Sequence, residues 1–154
     1  MADRRINIAK DKYDFVQELV DLETKGIFKT KADVLTFCAA YGYYKNRRIT
    51  ITENAKDPIP YSVFENSKYD MFIHLLAMDV AKDADVLADN DDMIDKRATI
   101  FESYANGGLE LLMQELKGQV EYLEKILLII HKATQVFEDN KTPEDDFDLS
   151  SLTI

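Results

Sequence analysis

The densest group of potential metal ligands is a run of aspartates between positions 83 and 95: Asp83, Asp85, Asp89, Asp91, Asp92 and Asp95. In a calcium loop, oxygen ligands stand at positions 1, 3 and 5, glycine at position 6 and glutamate at position 12. A loop starting at Asp91 places Glu102 at position 12. However, Met93 falls at position 3, which needs an oxygen ligand, and Lys96 falls at position 6, which needs glycine. We therefore expect a solvated acidic loop and no calcium site.

The histidines and the single cysteine are the remaining candidates for catalysis or zinc binding. His74 and His131 are far apart, and neither has a His or Cys three or four residues away to form a metal pair. Asp70 precedes His74 by four residues, the spacing of an ordinary stabilising pair on a helix. Cys38 has no base within one helical turn and suits a core position. We therefore predict no catalytic residue, no metal and no cofactor, and hence no enzyme.

An aromatic and basic cluster is the strongest candidate for a contact surface. Arg and Tyr are common anchors of protein interfaces, and Arg and Lys bind phosphate. An ordinary exposed turn beside a core helix explains the same residues equally well. The cluster contains Tyr41, Tyr43, Tyr44, Lys45, Arg47 and Arg48.

Charge is divided unevenly along the chain. The 154 residues carry a net charge of −10, with +3 in residues 1–50 and −13 in the remainder. Because DNA binding needs a basic face, any contact with DNA must come from residues 1–50, where Arg4, Arg5 and Asn7 would join the cluster. The acidic remainder favours a basic protein partner.

The composition predicts a predominantly all-α protein. Hydrophobic residues make up 46% and charged residues 31%, and five Gly and three Pro leave few turns. No apolar run is long enough to cross a membrane, and a single Cys excludes an internal disulfide. We therefore expect a helical cytoplasmic protein without membrane contact.

The elements of the first half follow from local patterns. Alternation over 4–9 predicts a short extended strand, and apolar spacing predicts a helix over 11–23. Thr30 is an N-cap residue with Asp33 three positions later, which predicts a second helix that Gly42 terminates. Further predictions are a short strand over 49–52, a helical turn over 61–66 and a core helix over 68–82.

The second half shows the clearest periodicity. A helix over 93–104 should end at residues 106–108, and a long C-terminal helix should follow from 108 to about 137. Apolar residues along that helix recur in alternating steps of four and three, a heptad pattern that predicts a seam for homo-oligomerisation. The predicted seam consists of Leu109, Met113, Leu116, Val120, Leu123, Leu127 and Ile130.

The last residues change in character. Residues 138–154 are acidic and have no apolar period, so we predict a disordered acidic tail. The predicted organisation is one compact helical domain over 1–137, with a basic subregion over 1–50, followed by this tail.

Two resemblances point to a biological setting. Residues 4–44 resemble a ribbon-helix-helix unit, a family in which strands paired between two chains enter the DNA major groove; the outward positions would be Arg5 and Asn7. A longer stretch, about 10–130, resembles the family called dnd system-associated protein 4. That resemblance rests on FKTKADVL at 28–35, PI and VF near 58–64, YD and LLA near 69–77, and TIFESYANGGLE at 99–110.

The second resemblance implies a protein associated with DNA phosphorothioation and its linked restriction machinery in antiviral defence. We expect a non-enzymatic accessory or adaptor subunit that contacts the protein subunits of a modification or restriction complex. The alternatives are a ribbon-helix-helix-like DNA-binding protein or repressor and an acidic inhibitor or DNA mimic.

Overall fold

The computed structural model describes residues 4–24 and 26–140. These residues form two compact units, one up to Gly118 and one from Gln119 onward. Single 3₁₀ turns occupy Lys10–Lys12 and Ala84–Leu87. The helices and strands are β1 (Arg5–Ile6), α1 (Tyr13–Val20), α2 (Lys31–Tyr44), β2 (Ile59–Pro60), α3 (Tyr61–Asn66), α4 (Asp70–Ala81), α5 (Asp91–Leu116) and α6 (Tyr122–Asp139). The predominantly helical class is confirmed.

The N-terminal arm forms the predicted strand. β1 pairs antiparallel with β2, so that Arg5 lies opposite Pro60 and Ile6 opposite Ile59. Ile6 and Ile8 are buried while Arg5 is exposed, as the alternation predicts. Because β1 pairs within its own chain, this arrangement differs from a ribbon-helix-helix dimer, in which the paired strands come from two chains.

α2 begins at the predicted N-cap. The Thr30 hydroxyl accepts a hydrogen bond from the Asp33 N–H at 3.1 Å, and the Asp33 carboxylate accepts one from the Thr30 N–H at 3.2 Å. The second carboxylate oxygen of Asp33 accepts a hydrogen bond from the Tyr69 hydroxyl at 2.6 Å, which ties the start of α2 to the start of α4. α2 continues through Gly42 to Tyr44, so the prediction that Gly42 terminates it is wrong.

α5 runs through the segment predicted to interrupt it. Residues 106–108 lie buried inside this helix, where α5 packs along α2. A Cβ on Gly107 would lie 2.1 Å from the carbonyl oxygen of Arg47, and one on Gly42 would lie 2.3 Å from that of Tyr104. The glycines permit a close backbone approach, and the prediction of a helix end at 106–108 is wrong.

The core of the first unit includes the arm and α2 packed against α5, α1 packed against α2, and an aromatic cluster between α3, α4 and α5. The ring of Phe101 on α5 meets Phe64 of α3 and Phe72 of α4 edge to face, with ring centres 5.4 and 6.4 Å apart. Ile73 and Leu76 add the buried side of α4. α3 matches the predicted turn over 61–66, and α4 falls inside the predicted helix over 68–82.

The predicted long C-terminal helix is divided in two. α5 ends at Leu116 and α6 begins at Tyr122, with Gly118 in the left-handed region at φ +78° between them. The prediction of one helix from 108 to 137 is therefore wrong, because a five-residue segment separates two helices.

Three smaller predictions also need correction. Residues 49–52 form no strand in the described structure; the Ile49 N–H donates to the carbonyl of Ser103 on α5 at 3.0 Å instead. The predicted loop over 83–95 contains a 3₁₀ turn and the first turn of α5, where the side chain of Asn90 accepts from the Met93 N–H at 2.9 Å. α6 extends to Asp139, and the rest of the predicted tail, 141–154, lies outside the described residues.

Candidate functional site

The two arginines of the aromatic and basic cluster lie in the turn after α2, and side chains of α5 bind both of them. Arg47 Nη2 donates to Glu110 Oε1 at 2.8 Å, and Arg48 Nε donates to Ser103 Oγ at 2.7 Å. The Arg48 guanidinium also lies 5.3 Å from the ring centre of Tyr104. Part of the positive charge of the cluster is therefore neutralised by an ion pair within the protein.

Among the other members of the cluster, Tyr41 is buried, whereas Tyr43, Tyr44 and Lys45 are exposed, and Tyr43 contacts α4. The Tyr43 hydroxyl donates to the carboxylate of Asp79 on α4, and this hydrogen bond raises the pKa of Tyr43 and lowers the pKa of Asp79. Lys45 Nζ lies 5.5 Å from the ring centre of Tyr44. The structure therefore joins the exposed end of α2 to the surface of α4.

In the N-terminal arm, Arg4 is bound by carboxylates of α5. Its Nε donates to Asp95 Oδ1 and its Nη2 to Glu102 Oε1, each at 2.8 Å. The hydrogen bond with Glu102 raises the pKa of Arg4. The second oxygen of Glu102 accepts the backbone N–H of Asn7 at 2.5 Å. Of the predicted DNA contacts in this arm, Arg4 is committed to internal ion pairs, whereas Arg5 is exposed.

A buried lysine was missed by sequence reasoning. Lys12 Nζ donates to Asn106 Oδ1 at 2.9 Å and to Asp11 Oδ2 at 3.2 Å, and Asn106 Nδ2 donates to the carbonyl of Ile49 at 3.2 Å. This network joins the arm, α5 and the segment after α2. No local signal marks it, because lysine is rarely buried.

One side of α4 carries exposed apolar side chains. Met71, Leu75 and Met78 are 68%, 57% and 38% exposed, and their spacing of four and three places them on one side of the helix. We call these three residues the α4 face. The opposite side, with Ile73 and Leu76, is buried. Sequence reasoning missed the α4 face because this helix is apolar on both sides.

A cavity of about 530 Å³ opens beside α4. Arg97 lines it and is only 6% exposed; its Nη1 donates to the carbonyls of Val86 at 2.7 Å and Ala88 at 3.0 Å. Burial raises the pKa of Tyr61, whose hydroxyl has no hydrogen-bond partner in the described part of the chain. Charged and polar side chains around the cavity include Tyr61, Glu65, Asp70, His74, Asp89 and Arg97.

The other predicted or rejected sites are dispersed. Cys38 is fully buried, and burial raises the pKa of its thiol. His74 lines the cavity, whereas His131 lies exposed on α6. Across residues 4–24 and 26–140, no three His, Cys, Asp or Glu side chains are grouped as a metal site would require. None of the helices in these ranges combines the length and apolar character of a bilayer-spanning segment.

The predicted seam is distributed over both units. Leu109 and Leu116 are buried in α5, and Met113 is partly exposed on that helix. Val120 is 80% exposed in the segment before α6. Exposed apolar residues of α6 supply the rest of the seam: Leu123, Leu127 and Ile130. Homo-oligomerisation through these residues stays a prediction.

Comparison with known proteins gives one finding. No curated protein and no solved structure matches the chain. The model of the family described as DNA sulphur modification system-associated protein 4 matches residues 5–152, which is nearly the whole sequence. The predicted family resemblance is confirmed, and the chain belongs to the DNA sulphur modification system-associated protein 4 family.

Proposed function

We propose that this protein is a non-enzymatic accessory subunit that binds protein components of a DNA sulphur modification system through the α4 face. The exposed row of Met71, Leu75 and Met78 on a helix whose other side is already buried carries this proposal. A helix that is apolar all round is usually covered on all sides, so the α4 face lacks a covering element.

The chemistry of the α4 face suits a protein partner. Exposed apolar side chains grouped in one place mark interaction sites, and methionine adapts its flexible side chain to different surfaces. Tyr43 lies at the edge of the face through its hydrogen bond to Asp79, and tyrosine is a frequent interface anchor.

The surrounding charge indicates which proteins would fit. Asp70 and Asp79 lie on α4, and Asp83 and Asp85 follow it, with Lys82 paired to Asp79 at 3.0 Å. This acidic border would attract a basic protein surface and would repel the phosphates of DNA.

Direct DNA binding receives less support. Arg4 and Arg47 make ion pairs with carboxylates of α5, and Arg48 bonds to Ser103. Arg5 and Lys45 remain exposed, but DNA affinity would require several such groups on one surface.

The proposal is tested by titrating the full-length chain against each purified protein of the DNA sulphur modification system encoded with it. Binding is measured by isothermal calorimetry, and native mass spectrometry gives the composition of any complex. A double variant, Met71→Gln with Leu75→Gln, should abolish binding while circular dichroism stays unchanged.

The matched control replaces two exposed leucines outside both the α4 face and the predicted seam, Leu22→Gln with Leu128→Gln. It should bind like the wild type, because neither residue belongs to the α4 face. Absence of binding to every component, or equal binding by both double variants, would overturn the proposal. Duplex DNA binding that the α4 variant leaves intact would favour the DNA-binding alternative.

A further inference from the structure

We propose that the cavity beside α4 binds a small organic carboxylate through the guanidinium of Arg97. This site is separate from the α4 face and does not depend on the proposed function. Three features of the cavity support such a ligand: a buried positive charge without a counter-ion, two buried polar atoms without hydrogen-bond partners, and an apolar part of the lining.

Arg97 carries a buried positive charge that no carboxylate matches. The residue is only 6% exposed, and it forms no ion pair in the described part of the chain. Its Nη1 donates to the backbone carbonyls of Val86 and Ala88, which fix the guanidinium in place but carry no net charge. Because a buried charge is costly unless it is paired, Arg97 lacks the anion that would complete its surroundings.

Two unpartnered polar atoms indicate where this anion would lie. Arg97 Nε and the Tyr61 hydroxyl are both buried, and neither has a hydrogen-bond partner within residues 4–24 and 26–140. Burial raises the pKa of Tyr61, and the charge of Arg97 opposes that rise, so the two side chains are neighbours. An oxygen atom bound beside both would accept one hydrogen bond from the N–H and one from the O–H.

The remaining edge of the guanidinium favours a carboxylate. Nη1 is used by the two backbone carbonyls, and the unpartnered Nε lies beside Nη2 on the adjacent edge of Arg97. A carboxylate accepts two parallel hydrogen bonds from such an edge, in the bidentate geometry that arginine is suited to make.

The other charged residues of the cavity limit the ligand to one negative charge. Arg4 also lines the cavity, but it already binds two carboxylates of α5. Glu65 and Asp89 are exposed and Asp70 is half-buried, so solvent screens these three carboxylates more than it screens Arg97. They would still repel a dianion such as phosphate, or an acidic protein surface, more strongly than a small monoanion.

The rest of the lining indicates that the ligand has an apolar body. Leu87 and Ile94 line the cavity together with Tyr61, whose ring adds an aromatic surface. The volume of about 530 Å³ lies within the range of about 300–1,000 Å³ that is typical of small-molecule sites. A monocarboxylic acid with a small aromatic or aliphatic body therefore matches both the charge and the surface of the cavity.

The test is an NMR titration of the ¹⁵N-labelled full-length chain with benzoate, benzamide and benzamidine, which have nearly the same shape and differ in charge. Benzoate should bind saturably and move the Arg97 Nε–H proton downfield, a signal that is assigned by its absence in Arg97→Lys. Neutral benzamide should bind about tenfold more weakly, and cationic benzamidine should not bind. Inorganic phosphate should bind more weakly than benzoate.

Tyr61→Phe should weaken benzoate binding about fivefold, because the carboxylate loses one O–H donor. This variant removes a buried hydroxyl that has no partner in the described structure, so its stability in urea should equal or exceed that of the wild type. The matched control is Tyr44→Phe, which changes an exposed tyrosine that does not line the cavity. It should bind benzoate like the wild type.

The carboxylate site is overturned if benzoate gives no saturable shift at Arg97, which would leave water as the only occupant of the cavity. It is also overturned if benzamide, benzamidine or phosphate binds as tightly as benzoate, or if Tyr61→Phe and Tyr44→Phe bind benzoate equally.

The proposed function has a separate readout. The Met71→Gln and Leu75→Gln variant should lose the protein partner and still bind benzoate. If benzoate does not bind the wild type but the protein partner does, the carboxylate site fails and the adaptor function stands. If benzoate binds at Arg97 and no protein partner binds, the adaptor function fails and the carboxylate site stands.

Discussion

The backbone of Gly108 lies against the backbone of Cys38, so closely that a Cβ on Gly108 would come within 1.7 Å of the Cys38 carbonyl oxygen. Both residues are buried, one in α5 and one in α2, and the obstructing atom belongs to the main chain. A side chain could be accommodated only by moving one helix away from the other.

Gly108→Ala should therefore destabilise the protein by about 3 kcal/mol, because the cost of overpacking exceeds the gain in helix propensity. Urea unfolding followed by circular dichroism measures the change. The control, Gln114→Ala, alters an exposed position of the same helix and should leave the midpoint nearly unchanged. Equal midpoints for Gly108→Ala and the wild type would contradict the close approach of α2 and α5.

Thr30→Ala should lower stability by about 1 kcal/mol, because the N–H of Asp33 loses its side-chain acceptor at the start of α2. Thermal unfolding at neutral pH measures the loss. Thr50→Ala, at an exposed position outside the helices and strands, is the matched control. If both variants have the same melting temperature, the capping box contributes nothing to stability.

The hydrogen bond to Asp33 raises the pKa of Tyr69 above its ordinary value of 10.0. The stability from this pair is fully present below pH 10.0 and is lost as the pH rises through the folded-state pKa, because the ionised phenol can no longer donate. Absorbance titration at alkaline pH, with Tyr69→Phe subtracted, should show one tyrosine that ionises late. In Asp33→Asn the same tyrosine should ionise nearer 10.0, and an unchanged titration would rule out this coupling.

Self-association through α6 is expected, because Leu123, Leu127 and Ile130 are exposed with heptad spacing on an amphipathic helix. Light scattering should show a dimer or larger species for the wild type. Leu123→Gln with Leu127→Gln should shift it to the monomer, whereas Lys132→Gln, on the same helix, should not. A wild-type monomer that persists at high micromolar concentration would refute the predicted seam.

Sequence reasoning succeeded where a few neighbouring residues determine the structure. Thr30 and Asp33 cap α2 through bonds that span three residues, and the alternation around Ile6 and Ile8 identifies the inward side of the arm. The period of α4 likewise follows from its own apolar residues. These patterns predicted helix starts and core positions of the first unit.

Prediction failed where contacts between residues far apart in the sequence determine the structure. The glycines at 107 and 108 are compatible with a turn or with a tight helix crossing, and only the presence of α2 selects the crossing. In the same way, the partners of Arg4 lie more than ninety positions along the chain, on α5. The α4 face has apolar residues like those of the core, so their types could not show which side stays exposed.

The link between Arg4 and Glu102 also has a consequence for synthesis on the ribosome. The two residues are separated by 98 positions, and the strand that follows Arg4 pairs with β2 at Ile59 and Pro60. During synthesis this arm leaves the exit tunnel before α5, so Arg4 cannot meet Glu102 until α5 has followed. Until then the arm can pair only with β2 and carries an unmatched arginine, and incomplete packing of this kind is the condition in which chaperones bind and aggregation begins.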